Sequence, residues 1–310
     1  MLLTTLAPHP RRTLLAMPLA LTLAACGGGG DSADPVVPTP PPVTPLLVLT
    51  GVAATGAPIQ GTVVAIDVNG KLSPPAVTSS TTGAYTVDVT GLTAPYLLTV
   101  NGSAGGRQVV LTSVATAAGQ TVNLTPLTDL IVATAAGVNA GSSLVEACTP
   151  SGASVAAACL SALNAATAGS KLADATALVA RMIAPLNSAG TDPLNGSFKA
   201  DGTGLDGVLD RLLVAPDSNG QATVTLVSTQ TVIGQANGPG SLSVTPPTAD
   251  QAQAADAAAQ VLPEINACLA SMAALYPSAG FTAPTAAQVG AFIDPDFFGF
   301  GVGRDELVGF

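Results

Sequence analysis

Thiols and carboxylates are the reactive groups this 310-residue chain offers, and their spacing decides which chemistries are open. The one histidine is His9, so residues 10–310 supply no imidazole. A Ser-His-Asp or Cys-His nucleophile needs an imidazole to take the proton, and neither can be assembled beyond His9. The chain has no Gly-x-Ser-x-Gly elbow and no Ser-x-x-Lys, which removes the commonest hydrolase plans of the cell envelope. Gly70-Lys71 is followed by Leu72, so it is not a phosphate loop. Zinc favours His and Cys, and the four cysteines (Cys26, Cys148, Cys159 and Cys268) are scattered. No cofactor or metal is expected.

Carboxylates remain as catalytic groups. Asp201, Asp206 and Asp210 lie in Asp201-Gly202-Thr203-Gly204-Leu205-Asp206-Gly207-Val208-Leu209-Asp210. An oxygen-ligand calcium loop would use such residues, but the spacing fails the EF-hand pattern. Asp206 and Asp210 stand i,i+4 on one helix, which reads as helix capping plus a solvated face. Asp294-Pro295-Asp296 reads first as a turn. Paired carboxylates could cleave a sugar, yet such sites want aromatic platforms, and the chain has three Tyr, seven Phe and no Trp. Asn101-Gly102-Ser103 and Asn195-Gly196-Ser197 match the glycosylation pattern by chance.

Cys26 is the thiol with the clearest context. It ends Leu23-Ala24-Ala25-Cys26, after Arg11-Arg12 and an apolar run from Thr13 to Ala25. A membrane span needs roughly 20 apolar residues, more than this run has. The layout resembles a bacterial lipoprotein export signal, with a basic pair, an apolar stretch and small residues that suit a peptidase. The resemblance implies removal of residues 1–25, a diacylglyceryl group on the Cys26 sulfur and a third acyl chain (palmitate in kind) on the new amino group. Each buried methylene adds about 0.8 kcal/mol, so several chains anchor firmly. Gly27 rather than Asp follows the cysteine, which implies the outer membrane, on its periplasmic face or at the surface.

Cleavage before Cys26 removes His9, Arg11 and Arg12. Basic residues fall from 9 to 7 against 19 acidic ones, a net charge of −12 (7 − 19). That balance argues against nucleic acid, whose phosphates demand Lys/Arg clusters, and against electrostatic docking to anionic lipid heads. The expected partner is therefore the membrane, through the acyl chains, together with an envelope protein or glycan whose identity the residues leave open. The mean hydropathy of +0.52 comes from small apolar residues mixed with 33 Gly and 25 Pro, not from a further span. The 285 residues left (310 − 25) have room for two modest domains.

An exported chain meets an oxidising compartment. Cys148 and Cys159 are close enough to pair, and closing so short a loop contributes about 2–3 kcal/mol; two buried thiols are the alternative. Cys268 is then odd. It is either a buried thiol or the partner of a cysteine beyond Phe310. Arg304-Asp305-Glu306-Leu307-Val308 reads as the start of a helix, so the chain is expected to be a fragment or a truncated relative of something longer.

Residues 26–45 read as a tether, a Gly27–Gly30 swivel followed by a Pro-rich extended spacer. From Leu46 short β segments follow: Leu46–Val52, Thr62–Val68, Ala84–Val89, Tyr96–Val100, Arg107–Thr112 and Thr121–Leu124, with Asn69-Gly70 as a hairpin signal. Short strands at this spacing argue for a seven-stranded β-sandwich over 46–124, these six runs supplying all but one of its strands. Thr125 caps and Pro126 opens a helical region over 125–235, with helices near 153–166, 170–186 and 204–213. Leu172, Leu178, Val179, Met182, Ile183 and Leu186 form one apolar face, and Leu205, Val208, Leu209 and Leu212 another. A short β segment is expected at Gln221–Ser228, extended by Thr231–Ile233. Residues 236–248 read as a linker. A C-terminal helical segment over 249–310 has helices at 249–274, with Val261, Leu262, Ile265, Leu269 and Met272 as its seam, and at 285–293.

Gly51-Val52, then Gly56-Ala57-Pro58-Ile59-Gln60-Gly61-Thr62-Val63-Val64, and Thr81-Thr82-Gly83-Ala84-Tyr85-Thr86-Val87 resemble the carboxypeptidase regulatory-like domain. Ser80-Thr81-Thr82-Gly83 departs from that family's Thr-Asp-x-x-Gly turn. The resemblance covers about residues 46–124 and implies a transthyretin-like (prealbumin) sandwich that serves as a non-catalytic accessory. The expected fold class is thus multidomain β + α, a seven-stranded prealbumin-like sandwich followed by a mainly helical domain. The expected role is structural or protein-interaction. A small-ligand or glycan-binding lipoprotein is the alternative, marked by a groove with exposed Tyr85, Tyr96 or Phe. A carboxylate-dependent hydrolase stands third, marked by a deep pocket with two carboxylates.

Overall fold

The computed structural model describes residues 46–139, 144, 148, 155–274, 298–299 and 302–303. The leader, Cys26, the tether, the expected helix at 285–293 and Asp294-Pro295-Asp296 lie outside the described residues.

The chain begins with β1 (Val48–Val52), β2 (Gln60–Asp67), β3 (Ala76–Val77), β4 (Ala84–Asp88), β5 (Tyr96–Ala104) and β6 (Arg107–Ala115). β1 and β4 pair antiparallel, while the other four form an antiparallel sheet in the order β3-β2-β5-β6. Alternation sets their faces. On the four-stranded sheet Val63, Ala65, Leu98, Val100 and Leu111 point at the β1/β4 pair, where they meet Leu49, Tyr85 and Val87. Ile66, Leu97 and Val114 point the other way, into a second core. Tyr96–Val100 is buried throughout because both faces of β5 are covered.

The seven-stranded sandwich is not what forms. This region has six strands in two sheets. Thr121–Leu124, expected as a strand, is irregular backbone held parallel to β1 by isolated bridges at Thr50–Thr121 and Ala53–Leu124. Two residues fix that arrangement. Gly51 faces Tyr85 across the β1/β4 ladder, and the Tyr85 hydroxyl crosses over it to donate to the Val122 carbonyl. A Cβ on Gly51 would overlap that carbonyl, so only glycine admits the approach.

Nor is the following region mainly helical. It carries α1 (Pro126–Ala136), α2 (Ala157–Ala166), α3 (Lys171–Ile183) and α4 (Gly204–Asp210), then a second four-stranded antiparallel sheet. That sheet is β7 (Leu212–Pro216), β8 (Ala222–Leu226), β9 (Thr231–Ala236) and β10 (Leu242–Val244), in the order β10-β9-β8-β7. β7 takes residues expected at the end of the 204–213 helix, and β10 takes residues expected as linker. α5 (Ala249–Ala274) follows at its expected bounds, though Val261, expected in its seam, is 50% exposed. Phe298–Gly299 (β11) and Val302–Gly303 (β12) make a two-residue ladder.

The turn leading from β7 to β8 repeats the turn after β2. In Asp67-Val68-Asn69-Gly70-Lys71 the Asp67 carboxylate accepts from the Asn69 and Lys71 N–H groups, both at 2.8 Å. In Asp217-Ser218-Asn219-Gly220-Gln221 the Asp217 carboxylate accepts from Asn219 at 2.8 Å and Gln221 at 2.9 Å. Gly70 and Gly220 sit at φ 81° and 75°, a left-handed conformation open to glycine.

α1 is the hub. Val179, Met182 and Ile183 of α3, Leu163 of α2, Leu205 and Val208 of α4 and Val224, Leu226 and Ile233 of the second sheet share its core. Buried residues encircle α1, as a central helix requires. Thr125 and Thr128 cap each other's backbone N–H, Pro126 stands in the first turn and Gly137 ends the helix left-handed. The first turn also closes the edge of β6. The Asp129 carboxylate accepts the Thr112 N–H at 3.1 Å and the Thr112 hydroxyl at 2.6 Å. The Thr128 hydroxyl shares its proton between the carbonyls of Thr112, at 3.1 Å, and Thr125, at 2.9 Å. Thr112, Thr125, Thr128 and Asp129 are all buried.

Replacing Asp129 with Ala strands two buried donors of Thr112, each costing about 1–3 kcal/mol. The urea midpoint is expected to fall accordingly, with Thr112→Val, which removes only the hydroxyl, costing about 1 kcal/mol.

Candidate functional site

The sequence-level candidates Asp201, Asp206 and Asp210 fall on one short segment. The Asp201 carboxylate caps the turn, accepting the Thr203 hydroxyl at 2.6 Å and the Thr203 N–H at 3.1 Å. Those two Thr203 bonds hold its carboxyl below the usual range. α4 starts at Gly204, and its apolar residues Leu205, Val208 and Leu209 are buried, as the helical spacing predicts. Leu212, expected on the same face, is half-buried on β7 instead.

Asp206 departs from the expected solvated face. Its side chain is 0% exposed. Its Oδ2 accepts the Gly202 N–H at 2.8 Å, while Oδ1 is buried without a hydrogen-bond partner. Burial raises its carboxyl to about 6, and the negative charges of Asp210 and Asp201 push the same way. The Gly202 N–H opposes this, and the Asp201 backbone does so to a lesser degree. One turn on, Asp210 lies against the backbone of Gly56, close enough that a Cβ on Gly56 would overlap its Oδ1. Burial raises the Asp210 carboxyl too, and the Arg211 charge partly offsets it. Arg211 forms an ion pair with Asp256 of α5 at 2.9 Å. Nothing in the spacing of Asp206 and Asp210 announced the burial; the glycines around Asp206, which admit close backbone approach, were the available signal.

Among the described residues no three or more Cys, Asp or Glu are placed to hold a metal ion. Two open grooves carry one carboxylate each. One, about 580 Å³, runs between the outer side of α3 and the 187–195 loop, past Leu172, Thr176, Ala177, Ala180, Asp192 and Asn195. Its polar groups are partly engaged, since the Asp192 carboxylate accepts the Leu194 and Asn195 N–H groups and Asn187 bonds twice with the Thr191 backbone. The other, about 560 Å³, lies beside β3 and β4 and reaches Asp88. Tyr85 and Tyr96 are 5% and 3% exposed, so neither offers an aromatic platform.

The structure joins Cys148 to Cys159 in a disulfide, with Cα atoms 4.8 Å apart and both residues buried beside Leu163. Cys268, expected either buried or paired, is an exposed free thiol on α5. No helix among the described residues is long and apolar enough to cross a membrane. Removing the disulfide by Cys148→Ala with Cys159→Ala is expected to cost about 2–3 kcal/mol through the loop it closes. Non-reducing peptide mapping should recover the two cysteines on one cross-linked fragment; alkylation of both in the unreduced chain would contradict the bond.

Comparison with models of protein families, with curated proteins and with solved structures finds no match to this chain.

Proposed function

We propose that this chain is an exported lipoprotein, held at the outer membrane by acyl chains on Cys26, whose soluble part serves a structural or protein-interaction role without catalysis. The observation that carries the reading is Leu23-Ala24-Ala25-Cys26 at the end of an apolar run preceded by Arg11-Arg12. The buried Cys148–Cys159 disulfide suits an oxidising compartment. The absence of any imidazole after His9 supports a role other than nucleophilic catalysis. The grooves beside α3 and β4 are shallow on chemistry, with one carboxylate and no exposed tyrosine each, which favours protein contact over glycan binding.

Cells fed an alkyne fatty acid should label the chain, and Cys26→Ser should abolish both the labelling and its globomycin-sensitive processing. Equal labelling of the Cys26→Ser variant would defeat the anchor.

A further inference from the structure

We propose that Asp206 is a proton-operated latch: neutral, it keeps the 201–203 turn packed on α4; ionised, it loosens that turn. The inference is independent of the lipid anchor.

The geometry is that of a carboxyl built into a backbone turn without the partners a charge requires. Oδ2 holds the Gly202 N–H at 2.8 Å, and Oδ1 is buried with no partner. A neutral carboxyl tolerates this, because a single unpartnered polar atom costs far less to bury than an unpartnered charge. The groups around it deepen the asymmetry. Asp201 and Asp210 both act on Asp206 with negative charge. The nearby cations are directed elsewhere, Lys199 toward Asp201 and Arg211 toward Asp210 and Asp256. The 53–59 loop and β7 bring no charged side chain to it. Losing the proton to water therefore leaves a buried anion next to two others, and the nearest relief is to open the Gly202 turn to solvent.

The direction in pH follows from the raised carboxyl. Between the ordinary value of 3.8 and about 6 the folded chain holds a proton that the unfolded chain has lost. The latch thus stabilises the fold in acid, its contribution falls as pH rises through that window, and above about 6 the full penalty of the buried charge is present.

Carboxyl NMR of the chain labelled at aspartate, with amide exchange at Gly202 corrected for its intrinsic rate, tests the latch. Asp206 should titrate near 6, well above the other aspartates that cap turns. Protection of Gly202 should fall about tenfold or more between about pH 4.5 and pH 7.5. Asp206→Asn should show protection that is flat across the same range, and Asp210→Asn should lower the Asp206 midpoint. Titration of Asp206 in the ordinary carboxylate range, pH-independent protection of Gly202, or a fall that persists in Asp206→Asn would overturn the proposal. Should Asp206→Asn fail to fold, the titration and exchange of the unmodified chain still decide it.

Discussion

The contact between the first turn of α1 and the outer edge of β6 is the constraint on which the rest of the structure rests. A sheet edge buried against a helix leaves N–H and C=O groups that neither water nor a further strand can satisfy. Here Asp129 takes the Thr112 N–H and Thr128 reaches the Thr112 carbonyl. Thr128 is at the same time half of the cap that starts α1. One cluster of buried hydroxyls and a carboxylate therefore starts the helix, ends the sheet and fixes the distance between them. Because α1 is buried nearly all round, its placement sets where α2, α3 and the second sheet can pack.

Much of the first half was legible in local signals. The β-branched runs up to Thr112, Asn69-Gly70, and Thr125-Pro126 each act through the backbone of a few residues, and their elements form where the signals stand, whereas Thr121–Leu124 makes only isolated bridges. The second sheet was harder. Leu212 follows Leu209 by three residues, so the apolar spacing of α4 runs on into β7 without a break. The stop is tertiary: the Arg211 carbonyl accepts the Val227 N–H, and pairing of Leu212 with Leu226 begins at once. β10 is three residues inside a Gly/Pro/Ser/Thr stretch, and its pairing with β9 supplies order that its composition does not. A sequence-level signal did exist. Asp217-Ser218-Asn219-Gly220-Gln221 repeats the side-chain chemistry of Asp67-Val68-Asn69-Gly70-Lys71, and the same backbone hydrogen bonds close both turns.

The acidic residues show where much of the net charge goes. Several of the described aspartates spend their oxygens on nearby backbone. Asp88 accepts the Thr90 N–H, Asp192 those of Leu194 and Asn195, Asp201 that of Thr203 and Asp217 those of Asn219 and Gln221. A chain with 33 Gly and 25 Pro makes many turns, and short acidic side chains are efficient acceptors at turns. Much of the acidity is thus a consequence of how the fold turns corners.

Asp67 and Asp206 show what decides the state of such a carboxyl. Both are buried, at 2% and 0% exposure. Burial pushes Asp67 upward, but the N–H groups of Lys71, Thr93 and Asn69 outweigh it and hold the carboxyl below its usual range. Asp206 has one such bond, an empty oxygen and two like charges beside it, and burial prevails. The difference is two backbone donors. Asp67 sits where a hairpin and a neighbouring loop both turn their N–H groups toward it. Asp206 sits inside a helix, where the N–H groups of its own segment are bonded along the chain and only the preceding turn has one to give. A carboxylate placed on the buried side of a short helix, between two others, is charged only at a cost to its surroundings.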